Sequence, residues 1–344
     1  MNGAFLSPSE CHRRLLPSAG TLAFRGQALG PWRRALRGVL RRRLGMDRMP
    51  SPSPLHVRHL WRRVLPQGTV EKILFRAEPG ADIPAYVCIP QGTKGRLPWM
   101  ICLQGHSTGM HNSIGLDPEE QHPISVEGDR DFALGCLQRG VAALAIEQRS
   151  LGQRREKKQQ RISYHNSCHD AAMRALMLGR TLLGERVYDV GRALAYLRTR
   201  DDVDPTKIGI LGNSGGGTVA CYAAALLPGL RLLVASCCFC TFRDSILSIH
   251  HCTDNYVPGL ALVADLPDIV GLFAPNPAII IAGKDDPIFP LHGVQEAHRK
   301  LRKIYQAAGA PGACPLVVGP EGHRFYAELG WREVLRVWLS DHLR

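Results

Sequence analysis

From about residue 99 onward, short runs of consecutive apolar residues alternate with longer stretches whose apolar residues recur three and four positions apart. The runs at 99–103, 141–146, 207–211, 230–236, 277–282 and 315–318 have the length and β-branched content of buried strands. The longer stretches at 129–139, 169–178, 181–200, 218–227, 292–308 and 325–342 read as helices. In 181–200, for example, Val187, Val190, Leu194 and Leu197 form one apolar stripe. Strands that alternate with helices predict an α/β fold, with a mostly parallel sheet covered on both faces. Two earlier strands, Val70–Arg76 and Ile83–Ile89, are joined by Glu78-Pro79-Gly80-Ala81-Asp82 and predict an antiparallel start to that sheet. Residues 105–128, 149–160 and 240–272 interrupt the rhythm. The last reads as an insertion.

The first 69 residues follow a different pattern. Residues 1–30 show no periodicity and predict a loosely ordered segment. Pro31 to Gly45 predicts a helix, with Trp32, Leu36, Val39, Leu40 and Leu44 on one face and arginines mostly elsewhere. A proline-rich linker follows. The chain therefore divides into a basic N-terminal extension, 1–69, and an α/β domain, 70–344, with an insertion at about 240–272.

Charge changes the picture only locally. Of the net +13, residues 1–63 carry +11, from 13 arginines against Glu10 and Asp47. The body is nearly neutral, so overall basicity is no argument for nucleic acid, and none is expected as a partner. The basic amphipathic helix is expected to dock on the body and leave its arginines in solvent. No apolar run reaches the length of a membrane span. The start of the chain lacks an apolar signal core, and most of the 11 cysteines fall in predicted strands or helices. A cytoplasmic, reducing location is the expectation. The Cys-x-x-Cys at Cys237 and Cys240 closes an apolar strand and reads as buried structure.

The candidate chemistry begins at Gly212-Asn213-Ser214-Gly215-Gly216, between a predicted strand and a predicted helix. A serine between glycines in that context is the nucleophile elbow of an α/β-hydrolase. Composition alone yields about 0.2 chance matches to such a motif, so its partners must decide. A serine hydroxyl needs a base, and the base needs an orienting acid. In this fold the acid precedes the base in the chain. Asp285 and Asp286 follow the strand at 277–282, and His323 follows the strand at 315–318. Each sits at the C-terminal end of a strand, where open α/β sheets place their sites. The expected oxyanion donors are the backbone N–H groups of Gly215 and of His106, in the loop after the strand at 99–103. Gln104, Ser107, Asn213, His250 and Tyr256 are candidate pocket residues.

On these motifs, residues from about 70 to the end resemble the serine esterases of the α/β-hydrolase superfamily. The stretch Glu147-Gln148-Arg149-Ser150-Leu151-Gly152-Gln153, the lead-in Asp201 to Ile208, and His251-Cys252-Thr253-Asp254-Asn255-Tyr256-Val257-Pro258-Gly259-Leu260 resemble the acetyl xylan esterase and dienelactone hydrolase-like branch. Ser150 stands where the related stretch has glycine, and Gln104 where histidine is common. The family pattern G-x-x-D-P-[IV] selects Asp286 as the acid. The resemblance implies hydrolysis of short acyl or acetyl esters of small molecules through an acyl-enzyme, with no cofactor. A peptidase or lactone hydrolase on the same triad is the alternative activity. A non-catalytic binding protein on the same fold is the alternative class. Two histidine groups, His165/His169/Asp170 and His250/His251/Asp254, are compatible with metal spacing but specify no complete ligand set, and no metal is expected. Oligomeric state and natural substrate do not follow from the sequence.

Overall fold

Six of the predicted apolar runs lie side by side as β4 (Leu97–Leu103), β5 (Ala142–Ile146), β6 (Val203–Asn213), β7 (Leu232–Ser236), β8 (Ala278–Gly283) and β9 (Leu316–Gly319) in the computed structural model, which describes residues 7–106, 109–156 and 167–339. Ahead of them come β1 (Arg58–Leu65), β2 (Gly68–Glu78) and β3 (Ala81–Pro90). The nine strands form one sheet in the order β1-β2-β3-β5-β4-β6-β7-β8-β9. The pairs from β5-β4 to β8-β9 are parallel, and β1-β2, β2-β3 and β3-β5 are antiparallel. A strand covered on both faces is apolar at every position. In β4, Trp99, Ile101 and Leu103 enter one core, and Met100 and Cys102 enter the other.

The helices divide between these two faces. One core takes side chains from α2 (Leu29–Arg43), α5 (Leu182–Leu197), α6 (Gly215–Leu226), α7 (Leu266–Gly271) and α8 (Leu291–Ala307). The other takes them from α3 (Phe132–Leu137) and α9 (Ala327–Trp338). Thr181 caps α5, its hydroxyl accepting from Gly184 N–H at 2.9 Å. The helix α4 (Ser167–Met177) packs on α5 at the edge of the site. Among the described residues no helix is long and apolar enough to cross a membrane.

Three features depart from the sequence expectation. Residues 7–30 hold regular structure and a docked stretch where loose order was expected. They form α1 (Pro8–Leu15), and the N–H groups of Thr21 and Leu22 bond the carbonyls of Leu262 and Val263. Any Cβ at Gly20 would lie 2.3 Å from the Val263 carbonyl, so this approach needs glycine. Second, the insertion holds the capped helix α7, in which Asp265 and Asp268 form a reciprocal capping box. Third, the arginines of α2 are only partly in solvent. Trp32, Leu36, Leu40 and the following Leu44 are buried as expected, each contributing about 1.5–3 kcal/mol. Arg37, however, donates to the carbonyls of Ala225 (3.0 Å) and Leu272 (2.7 Å), at the C-terminal ends of α6 and α7. Helix ends leave such carbonyls unpaired, and a cation there also meets the negative end of the helix dipole.

Candidate active site

The elbow is a steric construction. Ser214 follows β6 and stands at the N-cap of α6 with φ 54° and ψ −125°, a strained conformation for a residue with a side chain. Its neighbours pack too closely for any Cβ. One at Gly212 would lie 2.3 Å from the Gly216 carbonyl oxygen, and one at Gly216 would lie 2.3 Å from that of Leu103. The glycines two before and two after the serine are therefore required by the backbone. Ser214 N–H donates to the Ser236 carbonyl at 2.8 Å, which ties the elbow to the end of β7.

The neighbouring strand ends carry the candidate acid and the candidate base. Asp286 follows β8 and His323 follows β9, and Asp286 Oδ2 lies 2.7 Å from His323 Nδ1. The other carboxylate oxygen accepts from the N–H groups of Ile288 (2.8 Å) and Phe289 (3.2 Å). Burial alone would raise the Asp286 pKa. The His323 hydrogen bond and charge and these two N–H groups hold it below the ordinary value. Asp285 is exposed, so the geometry separates the two candidates. The Phe289 ring stacks on His323 at 6.0 Å, and the His251 ring meets Phe289 edge-on at 5.6 Å. The Ser236 hydroxyl joins the two halves, donating to Asn213 Oδ1 at 3.0 Å and lying 3.4 Å from the Arg324 carbonyl.

The loop after β4 covers the serine from the other side. A Cβ at Gly105 would lie 3.0 Å from Ser214 Cβ, and one at Gly215 would meet the His106 ring at 2.5 Å. That ring is held by a second carboxylate, with Nε2 at 2.7 Å from Asp254 Oδ2. Asp254 also accepts from Arg186 Nη1. Arg186 in turn donates to the Arg149 carbonyl and to Cys168 Sγ. Arg149 makes a bidentate pair with Asp189, which also accepts from Arg154. Burial would lower the His106 pKa, but Asp254 raises it to about 10. Burial would raise Asp254, but His106 and Arg186 hold it down.

The remaining pocket candidates fall elsewhere. Gln104 is buried as a brace, with Nε2 donating to Ser113 Oγ (2.7 Å) and the Arg130 carbonyl (2.8 Å). Its amide is spent on the loop that positions His106. Asn213 is fully buried beneath the elbow, and its Nδ2 has no partner among the described residues. His250 is exposed, and its neighbour His251 takes the place beside Phe289. Tyr256 lines an apolar cavity of about 240 Å³ with Leu176, Phe242, Ile246 and Leu247, whose lining includes none of Ser214, Asp286 and His323. Ser107 and His165 lie outside the described residues. His169 and Asp170 are exposed. Cys237, Cys238 and Cys240 are buried. Sequence reasoning missed Arg186, Asp254 as a partner of His106, and the place of His251 beside Phe289, because each acts through residues far away in the chain.

The sheet order, the strained serine turn and the helices on both faces are those of an α/β-hydrolase. Residues 63–258, more than half of the chain, match the family model of acetyl xylan esterase (AXE1). The chain belongs to that family, and with it to the ester hydrolases. YtaP of Bacillus subtilis (strain 168), described as a hydrolase, is 27% identical over 283 residues, 80% of this chain and 89% of its own length. A Bacteroides fragilis protein described as an acetyl xylan esterase superposes with a TM-score of 0.78 at 18% identity, covering 99% of this chain and 96% of its own. Acetyl xylan esterase 1 of Thermoanaerobacterium sp. superposes with a TM-score of 0.59 at 17% identity, covering 95% and 98%. At these identities the superpositions speak for the fold.

Proposed function

We propose that this protein is a serine carboxylesterase that cleaves short acyl esters, with carbohydrate acetates as the substrate class its family suggests. The observation that carries the reading is a strained serine turn facing the loop of Gly105, beside strand ends that close the His323–Asp286 pair at 2.7 Å. In this mechanism Ser214 attacks the ester carbonyl while His323 Nε2 takes its proton. Asp286, bonded to Nδ1, fixes the tautomer and stabilises the imidazolium that forms. The N–H groups of Gly215 and His106 receive the oxyanion. The protonated His106 ring, packed on Gly215, adds a fixed positive charge where negative charge develops. His323 then protonates the leaving alcohol, and water cleaves the acyl-enzyme by the same steps in reverse.

The test is hydrolysis of p-nitrophenyl esters of increasing chain length. Acetate and butyrate are expected to be turned over faster than longer chains. Ser214→Ala is expected to lower kcat by roughly 10⁴–10⁶-fold. No turnover of any ester, or an alanine variant as active as the parent, overturns the reading.

A further inference from the structure

Three pairs of cysteines approach each other inside this protein: Cys102 with Cys136, Cys221 with Cys238, and Cys168 with Cys252. The first two lie in the apolar cores on either face of the sheet, enclosed by apolar side chains. The third is different. Cys168 is buried as well, at 2% exposure, but it stands in the first turn of α4 with Arg186 Nη2 donating to its Sγ at 3.1 Å. Cys252 is partly exposed, in a stretch that is neither strand nor α-helix. The two sulfurs, a ring nitrogen of His106 and a carboxylate oxygen of Asp254 all lie within 4.8 Å of one another.

Four such groups resemble a metal site, but the guanidinium argues against one. Arg186 is 1% exposed and already donates to both Asp254 and Cys168. A dication among the same groups would be forced against that buried cation. A thiolate beside a guanidinium is instead the arrangement that makes a cysteine nucleophilic. We propose that Cys168 and Cys252 are an oxidisable dithiol, a modification site that forms a disulfide with hydroperoxides. The Cys252 S–H and the Arg186 guanidinium both favour the thiolate at Cys168.

The chemistry balances without any further reagent. The Cys168 thiolate attacks one peroxide oxygen, the O–O bond breaks, and the leaving oxygen departs as an alcohol after protonation. The resulting sulfenic acid is attacked by the Cys252 sulfur. The S–S bond forms and water leaves. Two thiols lose two electrons in all, and the hydroperoxide becomes an alcohol (water, for hydrogen peroxide) and one water. Closing the sulfurs to about 2.05 Å moves Cys252, the more weakly held of the two. Cys252 adjoins His251, whose ring touches Phe289 beside His323, and lies two residues before Asp254, which holds His106. Oxidation also removes one negative charge next to Arg186. Both effects displace groups around Ser214.

Peptide mapping tests this directly, and its readout does not depend on the esterase reading. The full-length reduced protein is treated with stoichiometric hydrogen peroxide, alkylated and digested without reductant. The expected result is a single cross-linked pair joining Cys168 to Cys252, with Cys102, Cys136, Cys221 and Cys238 alkylated. In Cys252→Ser, the sulfenic acid is expected to persist at Cys168 and to be trapped by dimedone. Ester hydrolysis by the oxidised parent is expected to fall about tenfold in kcat/KM and to return with dithiothreitol. Absence of the Cys168–Cys252 cross-link overturns the proposal, as does equal oxidation of the two core pairs. One equivalent of zinc retained by the purified protein and shielding both thiols from alkylation also overturns it.

Discussion

His323–Asp286 and His106–Asp254 are closed at the same 2.7 Å, yet the two pairs differ in what the aspartate does with its remaining contacts. Asp286 gives its second oxygen to two neutral backbone N–H groups, Ile288 and Phe289. Its charge is left for the ring it holds, and that ring stands among strand ends beside the serine. Asp254 shares the oxygen that meets His106 with Arg186, inside a buried chain of charges that runs on through the Arg149 carbonyl to Asp189 and Arg154. His106 is thereby held as a cation to about pH 10. A His–Asp distance is thus not enough to assign a role. In the mechanism proposed above, the neighbours of the carboxylate set whether the ring serves as a base or as a fixed charge.

Substitutions at the two aspartates separate these roles most sharply. Asp286→Asn is expected to lower kcat about 10⁴-fold by removing the acceptor that fixes the His323 tautomer. Asp254→Asn is expected to act first on stability, with a loss of about 3 kcal/mol as the buried Arg186 loses its carboxylate. Steady-state kinetics and urea unfolding on both variants test the contrast. Equal losses of activity in two equally stable variants would abolish it.

The third expectation concerns pH. A folded-state pKa raised above the ordinary 6.5 stabilises the fold fully below pH 6.5, and this contribution is lost as pH rises toward 10. The stability difference between the parent and His106→Gln is therefore expected to shrink across pH 6.5–10. A difference constant over that range would show that the ring carries no such charge. The smallest effect is expected at Ser150, which has φ 67° where the related stretch has glycine. Ser150→Gly relieves that strain against the larger entropy of an unfolded glycine, for a net gain of roughly 0.5 kcal/mol with kcat unchanged. A changed kcat would mean that the strained turn itself tunes the neighbouring pair.

What could be read from the sequence follows from where each constraint arises. Strands β4, β5, β7 and β8, and β6 from Ile208 on, are covered on both faces, so burial writes itself as apolar runs. Gly212 and Gly216 are legible because contacts within a few residues forbid any side chain. The edge strand β1 is exposed along most of its length and is held mainly by backbone pairing to β2, which leaves no alternation to detect. The pairing of Asp254 with His106 and Arg186 joins residues 148 and 68 positions apart, and no local pattern encodes it. The choice between His250 and His251 likewise depends on the path of the insertion.

The bonds from Arg37 also set an order of events during synthesis. Its acceptors at Ala225 and Leu272 lie 188 and 235 residues further along the chain. At about 5–20 residues per second, a ribosome needs roughly 10–50 s to make the second of them. For that interval the newly made α2 has neither its core nor its capping partners, and Trp32, Leu36, Leu40 and Leu44 have nowhere to pack. Arg37, which later closes two helix ends, first serves with the other arginines of α2 to keep this apolar face dispersed in water while the rest of the chain is still being made.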